Sequence, residues 1–125
     1  MSIYHLKKTF NTPEVRLNSS EGHLVIEGRS IPEDPSILYE DIINHLEKYY
    51  QNPRPLTKID LKLEYVNSGS SKVLLEILRL IKTKYDSGSD CVVNWFYEED
   101  DESIQDLGQH FKNTIKVPFN LVTYS

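Results

Sequence analysis

Three serines crowd one short turn of this chain, and hydroxyls in that place have chemistry open to them. The stretch Tyr65-Val66-Asn67-Ser68-Gly69-Ser70-Ser71-Lys72 lies between a segment of alternating polarity and a segment of helical period, so it reads as a strand-to-helix turn. A helix start presents N–H groups without intrahelical partners and a partial positive charge. It therefore favours an anion by up to about 1 kcal/mol, including a phosphate carried on its own side chains. Two readings fit. Either Ser70 or Ser71 caps the helix while Gly69 permits a tight turn, or the turn is a surface for recognition and phosphorylation. A cap needs one hydroxyl, and this turn has more. Gly69-Ser70-Ser71-Lys72 also looks like the end of a phosphate-binding loop, which makes a small-ligand or nucleotide-binding domain the competing reading. The spacing departs from that motif, because no glycine stands five residues before a Gly-Lys-Ser/Thr end.

Elsewhere the reactive residue types do not converge. His5, His23, His45 and His110 are scattered, with no pair at metal-ligand spacing, so no metal site is expected, and His45 reads as a packed or rim histidine. Glu98-Glu99-Asp100-Asp101-Glu102 lacks the spaced ligands and turn glycine of a calcium loop; carboxylates there suit the start of a helix. An enzyme using this acidic run is the third hypothesis. No Gly-x-Ser-x-Gly elbow occurs, so no catalytic residue is nominated and no cofactor is expected. Cys91, the one cysteine, sits in a Val-rich run and reads as a buried small hydrophobe.

The elements that must position the turn follow from periodicity. Glu14 to Leu17 and His23 to Glu27 read as a hairpin joined by Asn18-Ser19-Ser20-Glu21-Gly22. Leu38, Ile42, Leu46 and Tyr49 mark a helix from Pro35 to Gln51, ended by Asn52-Pro53. In the next strand Ile59, Leu61, Leu63 and Tyr65 alternate with Lys58, Asp60, Lys62 and Glu64, so one face of the sheet is wet. Helices then cover the other face only, in two layers. A second helix runs from Ser71 to Tyr85, with Leu74, Ile77, Leu78 and Ile81 on one stripe. Cys91 to Tyr97 is a strand, a third helix reaches Lys112, and Phe119 to Thr123 is a last strand. The expected order is ββαβαβαβ: an α/β two-layer sandwich with a mixed sheet, parallel wherever a right-handed crossover joins strands. The polar sheet face argues against face-to-face sheet burial.

Length and composition bound the rest. A chain of 125 residues matches one domain, 1–125, and 38% hydrophobic with 26% charged residues is an ordinary balance for a soluble protein. A net charge of −5 gives no broad basic face, so nucleic acid is not an expected partner. Met1 to Lys8 has no apolar run of a signal sequence, and nothing is long enough to insert in a membrane, so a cytoplasmic protein is expected.

At the serine turn the chain resembles the SiaC family of bacterial regulatory phosphoproteins, which carry a Tyr-x-Asn-Thr-Ser-Ser-x-Lys-like segment between a strand and a helix. The likeness extends in the same order through Thr12-Pro13-Glu14-Val15, Gly28-Arg29-Ser30-Ile31-Pro32-Glu33-Asp34, Trp95-Phe96-Tyr97 with the acidic run, and Pro118-Phe119. The resemblance implies a STAS-like fold, similar to the anti-sigma-factor antagonists, and non-catalytic partner switching. A Ser/Thr protein kinase of the histidine-kinase-like ATPase fold would phosphorylate the protein and a PP2C-type phosphatase would reverse it. The unmodified form would bind a target such as a diguanylate cyclase, a step in cyclic-di-GMP signalling. The family's modified threonine matches Ser68, the serine after it is Gly69 here, and Ser70 and Ser71 are alternative acceptors. The partner-binding surface implied is Tyr65, Asn67, Ser68, Gly69, Ser70, Ser71 and Lys72. The family's common tryptophan in the first helix appears as His45.

Overall fold

A computed structural model describes residues 3–125. Met1 and Ser2, which open the N-terminal stretch without a signal-like apolar run, lie outside the described residues. The elements are β1 (Ile3–Leu6), β2 (Glu14–Asn18), β3 (His23–Ser30), α1 (Pro35–Tyr49), β4 (Leu56–Val66), α2 (Ser68–Asp86), β5 (Asp90–Glu98), α3 (Glu102–Ile115) and β6 (Phe119–Tyr124). They form one six-stranded sheet in the order β1-β2-β3-β4-β5-β6. The first three strands are antiparallel, and β3 through β6 run parallel.

This winding explains the layers. Each parallel crossover advances one strand in the same direction, and such crossovers are right-handed, so α1, α2 and α3 land on the same face. Leu24 and Ile26 of β3, Ile59, Leu61 and Leu63 of β4, and Val93 and Trp95 of β5 are buried under them. The alternate residues face away from the helices. There, Asp60 accepts from Asn94 Nδ2 at 2.9 Å and meets His23 Nε2 at 2.8 Å, and Asn120 Nδ2 donates to Asn94 Oδ1 at 3.0 Å. The polar groups of the open face thus satisfy one another across four strands, and the mixed, one-sided sandwich expected from the alternation is what the chain builds.

Three details differ from the pattern-based expectation. An additional strand, β1, pairs antiparallel with β2 at the sheet edge. Four residues are too few to show a period, and this strand is held by residues distant in sequence: Tyr4 stacks on the His45 ring at 3.8 Å and donates its hydroxyl to Asp41. His45 is accordingly a rim histidine, its Nδ1 2.9 Å from the Asp41 carbonyl.

Tyr65 breaks the alternation of β4. The register with β3 shifts between Gly28 and Arg29, so that Gly28 faces Leu63 but Arg29 faces Tyr65. This irregularity moves Tyr65 from the buried set to the open side, where it is 59% exposed.

The third difference is that α2 begins at Ser68, earlier than Ser71, with Asn67 as its cap. α3 is capped by Asp101, which accepts from the Ile104 N–H at 3.1 Å, as the acidic run suggested. Cys91 is buried, and burial with the nearby Asp90 charge pushes its thiol up to about 11, so it packs as a small hydrophobe. No helix among the described residues is long and apolar enough to cross a membrane.

Candidate functional site

Parallel winding on one face brings the N-termini of α1, α2 and α3 to the same end of the sheet, beyond the ends of β3, β4 and β5. The serine turn sits in the middle of that end. Asn67 leaves β4 in an extended conformation, with φ −77° and ψ 168°, and its side chain accepts the Ser70 N–H at 2.8 Å. Its carbonyl accepts the Ser71 N–H at 2.9 Å, its own N–H donates to the Ser30 carbonyl at 3.0 Å, and its Nδ2 donates to the Pro32 carbonyl at 3.0 Å. One residue therefore caps α2 and ties it to the segment between β3 and α1. Neither Ser70 nor Ser71 is the cap.

With the helix starting at Ser68, its period decides what each serine can do. Ser70 continues backwards the stripe of Leu74, Ile77, Leu78 and Ile81, and it is fully buried. Its hydroxyl accepts from Ser30 Oγ at 2.8 Å, and Ser30 Oγ lies 2.6 Å from the Tyr39 hydroxyl. Since Ser30 spends its proton on Ser70, Tyr39 donates to Ser30. Burial pushes the Tyr39 phenol up to about 12, which keeps that proton in place. The Ser70 hydroxyl is therefore sealed from solvent in the folded protein. Ser68 is exposed on the first turn, and Ser71 is half-buried one turn further on.

Gly69 also has a different role from the one expected. It is helical, with no positive φ, and a Cβ there would stand 3.0 Å from Pro35 Cγ. Its missing side chain lets the first turns of α1 and α2 approach closely. Lys72 is exposed one turn beyond Ser68, on the same side of the helix.

By helix geometry the amides of Ser68 and Gly69 have no intrahelical partner, so an anion on Ser68 has donors within reach. Beside the turn lies an open groove of about 690 Å³. Ser68 and Ser71 form its α2 wall, Val66, Ile104 and Leu107 give it apolar surface, and Tyr65 stands at its edge. The guanidinium carbon of Arg29 lies 5.2 Å from the Tyr65 ring centre and 5.2 Å from that of Phe10, and its Nε is 3.7 Å from Glu64. Tyr65 is thus held upright by a cation on its face.

Sequence reasoning gave no role to Ser30, Tyr39, Pro32, Arg29 or Phe10, although Arg29, Ser30 and Pro32 lie in a segment that carries the family resemblance. For Ser30 a signal existed, since it is in phase with the inward residues Leu24 and Ile26 of β3. For Phe10 there was none. Among the described residues no group of His, Cys, Asp and Glu is placed to hold a metal ion.

Removing the cap should be costly. Asn67→Ala loses a cap worth about 1 kcal/mol and a side-chain bond to Pro32 worth about another, so unfolding in urea should show a loss of about 2 kcal/mol. Asn67→Asp keeps the acceptor and should recover about half of it.

Fold and site together define a one-sided α/β sandwich with an exposed, serine-bearing helix start, capped by Asn67, beside an open groove. The chain belongs to the SiaC family: the pattern of the SiaC family regulatory phosphoprotein matches residues 6–124. It is 28% identical over 119 residues to an uncharacterized protein of Pseudomonas aeruginosa, covering 95% of this chain and 94% of that one. Its structure is similar to SiaC of Pseudomonas aeruginosa, with a TM-score of 0.92 at 26% identity over 99% of this chain and 100% of the other. It is also similar to a chain in the crystal structure of diguanylate cyclase SiaD in complex with its activator SiaC from Pseudomonas aeruginosa. There the TM-score is 0.91 at 26% identity, covering 97% of this chain and 99% of that one.

Proposed function

We propose that residues 1–125 act as one non-catalytic, cytoplasmic regulatory unit that switches partners through reversible phosphorylation of Ser68. The unmodified form binds and regulates a diguanylate cyclase. A Ser/Thr kinase of the histidine-kinase-like ATPase fold adds the phosphate, and a PP2C-type phosphatase removes it. The observation that carries this reading is the contrast among the serines. Ser68 is exposed at the helix start, Ser71 is half-buried, and Ser70 is sealed beneath the helix. In addition, the SiaC of the similar complex is an activator of a diguanylate cyclase.

The physics of the switch needs no refolding. A phosphate on Ser68 adds about −1.5 to −2 charges where α2 has open N–H groups and Lys72 one turn on, so the fold tolerates it. A partner packed on the same turn must strip water from that dianion. A nucleotide at the turn is disfavoured, because Glu64, Asp101 and Asp106 line the adjacent groove and would repel its phosphates.

The test is direct. Incubated with kinase and ATP, the protein should gain one phosphate by intact mass, lost again on adding the phosphatase. Added unmodified to the cyclase, it should change the rate of cyclic-di-GMP synthesis. A chain that takes no phosphate and leaves the cyclase unaffected would sink the proposal.

A further inference from the structure

A second cleft, of about 830 Å³, lies at the other end of α1 from the serine turn and shares no residue with the groove beside Ser68. α1 starts at Pro35, against Gly69, and runs to Tyr49, about 20 Å away. β1 gives the cleft one side, with Tyr4 and His5; the end of α1 and its connection to β4 give the other, with His45, Lys48 and Arg54. The charge of this lining runs against that of the protein. The chain has 19 acidic and 14 basic residues, yet no aspartate or glutamate lines the cleft, while Lys48 and Arg54 both do.

The fold leaves these two cations unused. The Lys48 ammonium and the Arg54 guanidinium make no hydrogen bond, ion pair or ring contact among the described residues, and the side-chain amides of Gln51 and Asn52 beside them are equally free. Lys48 also faces the partial negative charge at the end of α1, which one cation offsets; Arg54 lies beyond the helix and has no such role. Arg54 is nonetheless fixed at its backbone. Its N–H donates to the Tyr49 hydroxyl at 3.0 Å, and that buried hydroxyl lies 2.8 Å from Thr57 Oγ1. The histidines are oriented as well: His5 Nε2 is 2.8 Å from Glu14, and His45 Nδ1 is 2.9 Å from the Asp41 carbonyl with its ring stacked on Tyr4.

From this we infer that the cleft binds a small organic phosphate, its phosphoryl oxygens on Lys48 and Arg54 and its body over Ile3, Tyr4 and Pro53. The volume is that of a small-molecule site. Two cations balance the dianion of a phosphoryl group, where one would balance a carboxylate, and the guanidinium fork and the free amides supply its hydrogen bonds. Ile3 is 58% exposed, so the cleft offers apolar surface for the ligand to cover.

Calorimetric titration at low salt with glucose 6-phosphate and with ATP, adenosine serving as the uncharged control, tests this. Binding of both phosphates assigns the phosphoryl group as the element recognised, ATP alone a nucleotide, and glucose 6-phosphate alone a sugar phosphate; adenosine should not bind. Lys48→Gln and Arg54→Gln, both at exposed side chains without partners, should melt as wild type and each weaken the bound probe about tenfold. Lys112→Gln, the same loss of charge in the last turn of α3, should bind as wild type. The assignment is overturned if neither phosphate binds, if adenosine binds as well as ATP, if the cleft variants bind unchanged, or if Lys112→Gln loses as much as they do. None of these results bears on the switch at Ser68.

Discussion

Phosphorylated protein should bind the cyclase about a hundredfold more weakly than the unmodified form, Ser68→Asp about tenfold more weakly, and Ser68→Ala as tightly as wild type. The magnitudes follow from desolvation. Burying a phosphate without a partner cation costs at least ~3 kcal/mol, which at 1.4 kcal/mol per tenfold is two orders of magnitude. Aspartate supplies roughly half the charge on a shorter side chain, so about half the free energy is expected. Alanine removes only a hydroxyl from an exposed first turn, where Asn67 already caps the helix. The same Ser68→Ala protein should take up no phosphate from the kinase. If it is phosphorylated normally, the Ser68 assignment is overturned, and Ser71, half-buried where Ser70 is fully buried, is the first alternative to test. Thermal stability separates a blocked surface from a damaged fold: phosphate at a helix N-terminus is worth up to about 1 kcal/mol, so the melting temperature of the phosphoprotein should hold or rise.

The largest effect on stability is expected at Gly108, in the middle of α3. A Cβ there would lie 2.3 Å from Trp95 Cδ1 and 2.5 Å from its Nε1. The indole has nowhere to go. Trp95 is fully buried, its Nε1 donates to the Ile104 carbonyl at 2.9 Å, and its ring meets Phe111 edge-on with centres 5.5 Å apart. Ile104 and Gly108 are one helical turn apart, so the indole lies across α3 in the slot that the glycine leaves open. Gly108→Ala gains about 1 kcal/mol of helix propensity, and overpacking of this severity costs about 3 or more. A net loss of about 2 kcal/mol or more should appear in urea unfolding as a lower midpoint with an unchanged slope. An alanine variant as stable as wild type would show that α3 shifts freely on the sheet.

Much of the protein was determined by patterns that a short window of sequence contains. The alternation from Lys58 to Leu63 specified a sheet wet on one face, and the stripes in α1 and α2 specified helices covering the other. Their order then left one handed way of winding, which brings the helix starts to one end. The family resemblance was legible in the ordered segments around Pro13, Gly28, Ser68, Trp95 and Phe119. The site itself was only partly legible. Which serine is accessible depends on where α2 begins, and that was decided by Asn67 reaching Pro32 and Ser30 on another segment. Extending the stripe of Leu74 and Ile77 back by one turn would have found Ser70, but three serines within four residues mask an apolar period. Tyr65 was displaced from the core by a register shift whose other half is Gly28 and Arg29 of β3, so β4 alone reads as unbroken alternation. The groove was invisible in sequence because its walls come from β4, α2 and α3, which only winding brings together. Periodicity is local and encodes which face of an element is apolar. The exposure of a single hydroxyl is set by contacts between distant segments, so the resemblance could match Ser68 but only the tertiary structure shows that Ser68 is exposed and Ser70 buried.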